Sequence, residues 1–122
     1  QEKDNGTYYT VRYELTNNLL MRMRAGFSIN ADEQATSLAY KADLLLLDDI
    51  GAEKPSEWVE QELYGLIEDR YRNNKLLVVA TNETEPTIKA KLGDRITSRL
   101  FDSETSKVKQ VYLTAKDYRT GE

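Results

Sequence analysis

The leucine run Leu44–Leu47, closed by Asp48 and Asp49 and followed by Gly51, limits what this chain can fold into more than any other segment. Four consecutive apolar residues bounded by turn formers have the length of a strand and are apolar on both faces, which suits a central strand of a parallel sheet covered on both sides. Ligands of open α/β sheets bind beyond the carboxyl ends of the strands, so two acids emerging there stand where a metal ion or a reacting water sits. The same residues also fit a buried strand whose aspartates only begin a turn.

With 122 residues the chain fits one domain, large enough for a real core but short for a complete nucleotide-hydrolysing fold. Seventeen basic against twenty-one acidic residues, net charge -4, argue against coating nucleic acid by bulk charge while permitting a local basic patch. The absence of Cys and His removes disulfides, thiol or imidazole metal sites and His-based acid/base catalysis. No apolar segment nears the roughly 20 residues that span a bilayer, and the opening QEKDNGTYY has neither region of a signal peptide. No membrane partner is expected, and the cytoplasm is the expected location.

Along the chain, Gly6–Tyr13 is rich in Tyr, Thr and Val and reads as a strand, after which Glu14 opens a helix carrying Leu15, Leu19 and Met23 at four-residue spacing. A polar segment with a short helix around Glu33–Tyr40 leads into the leucine strand. Beyond it, Ser56 reads as the N-cap of a helix with Glu57 and Glu60 in its first turn, an apolar stripe of Val59, Leu63, Leu66, Ile67 and Tyr71, and a stop at Asn73 and Asn74. Trp58 lies off that stripe and is expected to be partly exposed. Leu76–Ala80 reads as the next buried strand, Pro86–Leu92 as a short helix broken at Gly93, and Val108–Thr114 as a last strand. The order β-α-β-α-β-α-β points to an α/β layered sheet with right-handed crossovers.

Three strand ends then carry polar groups: Asp48 with Asp49, Thr81 with Asn82, and Lys116 to Arg119. With Arg95 and Arg99 added, the parts match phosphoryl transfer: an acid for Mg²⁺, an acid for water, an amide to position it and arginine to neutralise developing charge. LLLLDDIG resembles a Walker B segment, VVATN a sensor 1 strand end, and LGDRITSRL the box VII region of AAA+ ATPases of the initiator and helicase-loader branch. From about Tyr9 to Arg119 the chain is similar to the DnaC/DnaI-type loaders of the bacterial replicative helicase, and somewhat less to IstB-type transposition ATPases.

That resemblance implies ATP and Mg²⁺ as cofactors, Asp48 as the Mg²⁺ and nucleotide ligand, Asp49 polarising the attacking water, and Asn82 as the sensor 1 residue. It makes Arg99 an arginine finger reaching a neighbouring subunit, hence a homo-oligomer, with Arg95 an interface or structural residue and Arg119 at a sensor 2-like position. Asp49 departs from the Glu common in the wider superfamily, and its shorter reach bears on the strength of hydrolysis. The implied partners are the replicative DNA helicase and single-stranded DNA, with Phe27, Ser56 and Trp58 at the DNA-binding positions and Arg22, Arg24 and Lys54 near the phosphates. Exposed aromatics suit sequence-independent stacking. The plainer readings stay open: Asn82 as a turn residue, Arg95 and Arg99 as a solvated helix face, Phe27 as a core residue.

None of the six glycines precedes a lysine, so the phosphate-cradling G-x-x-x-x-G-K-S/T loop does not occur in these residues. Residues 1–122 are therefore expected to be the later part of a single AAA+ domain, Walker B to sensor 2, with its P-loop upstream. The expected fold class is an α/β, P-loop NTPase type parallel sheet with flanking helices, incomplete because the P-loop strand and helix are absent. That strand normally lies between the Leu76–Ala80 and Val108–Thr114 strands. The expected function is ATP-dependent loading of the replicative helicase onto single-stranded DNA, the 122 residues alone binding ATP weakly or not at all. The alternatives are an IstB-like transposition helper and a module that docks to helicase or loader without hydrolysing nucleotide. A phospho-acceptor receiver domain fits worse, because its acid pair ends the first strand.

Overall fold

The leucine strand is the middle of a three-stranded parallel sheet ordered β1-β2-β3. The computed structural model describes residues 6, 8–25 and 30–101, in the order β1 (Val11–Leu15), α1 (Thr16–Ala25), α2 (Asn30–Lys41), β2 (Leu44–Asp48), α3 (Glu57–Arg72), β3 (Leu76–Val79) and α4 (Glu85–Phe101). The register sets Val11 beside Leu44 and Leu76, and Tyr13 beside Leu46 and Val78. The expected last strand, Val108–Thr114, lies outside the described residues, as do Phe27 and Arg119.

Two expectations are corrected at the first strand. Glu14 does not open a helix; it sits inside β1, and the helix begins at Thr16. The ladder likewise starts at Val11, well after Gly6, where Thr10 and Asp43 exchange hydrogen bonds at the mouth of the β1–β2 pair. Pairing with β2 overrides the local helix preference of Glu14, and its buried carboxylate is neutralised by Arg12 at 2.6 Å and Arg22 at 3.2 Å.

Among the described residues the sheet is covered on one face only. Leu45 and Leu47 are fully buried, with Leu77 and Val79 packed against the same core beneath α3 and α4. Residues of opposite parity face outward: Val11 is 67% exposed, Tyr13 57%, Leu76 63% and Val78 46%. The expectations of a sheet covered on both sides and of a buried Leu76–Ala80 strand therefore fail for this face among the described residues. The cause is topological. The strands advance across the sheet in chain order, and right-handed crossovers that all step in one direction place every connecting helix on the same side.

α3 forms as its sequence requires. Ser56 is the N-cap, its hydroxyl accepting the Val59 N–H at 3.1 Å; Glu57 and Glu60 occupy the first turn; Asn73 closes the helix. Val59, Leu63, Leu66 and Ile67 are buried. Arg70, at the end of this helix, is also fully buried. Its guanidinium donates to the carbonyls of Ala39, Tyr40, Ala42, Asp43 and Leu76, joining the end of α2 to the entrances of β2 and β3. Burial draws its pKa below the ordinary guanidinium value, with Asp69 and Asp43 opposing that shift.

α4 breaks at Gly93 as expected. This residue has φ 90° and ψ 171°, a region essentially restricted to glycine, and a Cβ there would stand 2.6 Å from Glu60 Oε1. Beyond the break α4 runs beside α3 in the same direction, bringing Arg95 to Tyr64 and Arg99 to Glu68. Among the described residues no helix is long and apolar enough to cross a membrane.

Candidate nucleotide site at the strand exits

The exits of β2 and β3 are stitched together by backbone and side-chain bonds. Ala80 N donates to Leu47 O at 2.9 Å and Ile50 N to Ala80 O at 3.0 Å, while the Thr81 hydroxyl donates to Ile50 O at 2.6 Å. Asp48 is the last residue of β2, and Asp49 turns the chain at φ 57°, a left-handed conformation that Asp tolerates better than most residues. Gly51 follows at φ 94°, where a Cβ would meet Ile88 Cδ1 at 2.8 Å. Asn82 stands exposed in the turn that leaves β3, between Thr81 and a Glu83 whose N–H is held by the Thr81 hydroxyl. The fold thus brings Asp48, Asp49 and Asn82 to one edge of the sheet, with both acids accessible to solvent.

Asp48 is tied from two directions. Its carboxylate accepts a hydrogen bond from the Tyr13 hydroxyl on β1, and its carbonyl accepts one from Thr16 Oγ1 at the start of α1. The Asp48 bond is the main cause that raises the Tyr13 phenol above its ordinary pKa. Among the described residues Tyr13 engages one oxygen of Asp48 and no hydrogen bond reaches the other. Among the described residues no three acidic side chains converge on a point. The accessible carboxylates of Asp48 and Asp49 are hard oxygen donors of the kind that suit Mg²⁺.

The other expected residues lie elsewhere. α3 runs from the exit of β2 back to the entrance of β3, so Glu68 and Tyr71 in its last turns mark the opposite end of the layer from the acids. Arg99 belongs there: its Nε donates to Glu68 Oε1 at 2.7 Å, and its guanidinium lies 4.5 Å from the Tyr71 ring centroid. It does not share a site with Asp48, Asp49 and Asn82 of its own chain. Trp58, in the first turn of α3, is half-buried and packs on the core edge, with the Arg24 guanidinium 4.3 Å above its ring. Ser56 beside it is exposed, and its hydroxyl accepts the Val59 N–H as the helix cap. Arg22, one of the expected phosphate contacts, is paired to Glu14.

Reading the sequence missed three residues at or near these sites. Tyr13 faces the same side as Asp48, which only the strand register reveals. Glu53 is buried just past the acid pair, with Oε1 accepting the Gly51 N–H at 3.0 Å and Oε2 lacking a partner among the described residues. Lys91 reaches back from α4 to Gly51 O at 2.9 Å and to Glu83 at 3.0 Å, clamping the turn.

No protein-family model and no curated protein matches this chain by sequence. Its fold does match solved structures. The DnaC helicase loader superposes with TM-score 0.65 at 22% identity, over 80% of this chain and 58% of the loader. The replication initiator DnaA bound to AMPPCP and single-stranded DNA gives 0.64 at 23% identity, over 78% of this chain and 29% of DnaA. A DNA replication initiation factor gives 0.66 at 22% identity, over 90% of this chain and 33% of the factor. The chain shares the α/β fold of these structures and spans less than two thirds of the length of each.

Proposed function

We propose that these residues are the later part of an AAA+ ATPase domain that acts in the initiation of DNA replication, as a loader of the replicative helicase onto single-stranded DNA. The observation that carries this reading is the stitched edge where β2 and β3 leave the sheet, which presents Asp48, Asp49 and Asn82 together. In it, Asp48 holds Mg²⁺ with the nucleotide, Asp49 orients and polarises the attacking water, and Asn82 positions that water near the terminal phosphate. Arg99 acts on the nucleotide of a neighbouring copy, a role in keeping with its distance from its own chain's acids. Mg²⁺, if held there, would supply neutralisation of the charge that develops on the transferring phosphate. The likeness to a helicase loader and to a DnaA solved with AMPPCP and single-stranded DNA supports the same reading.

The face left bare among the described residues supports a sheet completed by further chain. Covering it takes a helix from a crossover that steps in the reverse direction. A preceding β-α unit entering β1 does this if its strand pairs with the free edge of β3 and its helix crosses over Val11, Tyr13, Leu46 and Val78. That unit is where the P-loop belongs. The test is ATP turnover by a protein extended upstream through that unit. Asp49→Asn is expected to abolish turnover while leaving the fold intact by circular dichroism. Unchanged turnover would overturn the reading and favour a module that docks without hydrolysing nucleotide.

A further inference from the structure

Between α3 and the second half of α4 lies a shallow pocket of about 300 Å³ lined by Tyr64, Asp94, Arg95, Ser98 and Arg99. Its two arginines are held differently. Arg95 lies over the Tyr64 ring at 4.1 Å and has no carboxylate partner among the described residues. Arg99 is both stacked, on Tyr71, and neutralised, its Nε and Nη2 meeting the two oxygens of Glu68 at 2.7 and 3.5 Å. Asp94, the acid in the lining, is mostly exposed and sits 3.7 Å from Lys89.

We propose that Glu68 is a positioning residue that holds Arg99 in reserve, so that a phosphate-bearing ligand entering this pocket must take the guanidinium away from it. The inference rests on the reading of Arg99 as a residue that acts on a neighbour's nucleotide, and it adds the restraint on that action. Three observations carry it. The side chains of Glu68 and Arg99 are 15% and 24% exposed, shielded enough for the pair to hold its geometry, and Arg99 lines the pocket. Glu68 has a second cation in waiting, Arg72 at 3.6 Å, so the departure of Arg99 does not strand a lone carboxylate. The bond to Arg99 also lowers the Glu68 pKa, so the carboxylate stays charged near neutral pH and is released by a competing anion rather than by a proton. Phosphate offers the same forked acceptor geometry with more charge and one more oxygen, which is why it can win the exchange.

The test uses inorganic tripolyphosphate as the probe and the Arg99 Nε–H resonance as the reporter. In the unsubstituted chain that resonance is expected to shift on titration. Glu68→Gln is expected to bind the probe about tenfold more tightly, a gain that vanishes when Arg99→Ala is added. Glu57→Gln, the same charge change at the start of α3, is expected to gain much less. Equal gains in the two glutamine variants, a gain that survives Arg99→Ala, or an Arg99 resonance indifferent to saturating tripolyphosphate would each overturn the proposal. The last of these needs no substituted protein to fold. Because binding to one chain is read rather than turnover, a failed Asp49→Asn test and a failed Glu68 test are told apart.

Discussion

The hydroxyl of Tyr13, on the first strand, hydrogen-bonds the carboxylate of Asp48 at the exit of the second, so an exposed residue of the sheet orients the acid proposed to hold Mg²⁺. This contact has a pH signature. The Tyr13 pKa is raised, chiefly by the bond to Asp48, so its contribution to stability is complete below the ordinary phenol value near 10 and is lost as pH rises through the higher folded value. Tyr13→Phe is expected to be less stable than the unsubstituted protein at neutral pH, with the difference closing only in alkaline solution. Urea midpoints of the two proteins from pH 7 to 11 check this, and a difference that closes below pH 9 would contradict it.

Local chemistry made the caps, the break in α4 and the strand exits legible in the sequence, while register and strand order stayed hidden. Ser56, Asn73 and Gly93 act where they were read because an N-cap, a helix stop and a glycine-only backbone conformation are each dictated within a few residues. The acid pair and Asn82 were legible as strand-exit residues for the same reason. Glu14 was misread because its strand state depends on β2, thirty residues away, and Leu76 and Val78 because only the strand order tells which face is left bare. Tyr13 and Glu68 were invisible as partners of Asp48 and Arg99. Nothing local to a tyrosine or a glutamate announces a partner that far along the chain.

Arg70 is expected to matter more to stability than any charged residue at the site. It is a buried cation satisfied by five backbone carbonyls from the end of α2, the link into β2 and the start of β3, and a lysine can neither match that fork nor reach as many acceptors. Arg70→Met is expected to cost about 3 kcal/mol or more, because carbonyls at the end of α2 and at two strand entrances lose their donor. Arg70→Lys is expected to recover only part of this. Equilibrium urea unfolding measures both.

The two faces of the sheet are expected to respond oppositely to truncation. Leu45→Ala opens a cavity in the closed core and is expected to cost about 2–5 kcal/mol. Leu76→Thr and Val78→Thr act on side chains already in contact with water and are expected to change stability by less than about 0.5 kcal/mol. The same pair is expected to lower binding of the dye ANS, which reports exposed apolar surface. Once an upstream β-α unit covers this face the tolerance should disappear, so repeating the two threonine substitutions in the longer protein, where they should become costly, tests the proposed completion of the sheet.

Trp58 is the single tryptophan of the chain, which makes it its own probe for single-stranded DNA. It is half-buried, and Arg24 covers one face of its ring, so a base can stack only on the remaining face or by displacing that guanidinium. Arginine over an aromatic ring also supplies charge for an adjacent phosphate, the pairing a sequence-tolerant site uses even in an acidic chain. Titration with an oligothymidylate is expected to quench Trp58 fluorescence, and Trp58→Ala to weaken binding by about 1–3 kcal/mol, roughly 5- to 150-fold. Arg24→Ala is expected to weaken it and to flatten its salt dependence, since one phosphate contact is lost. Fluorescence unmoved by DNA, with affinity unchanged in both variants, would remove this face from the DNA path and leave Trp58 and Arg24 as a packing contact between α1 and α3.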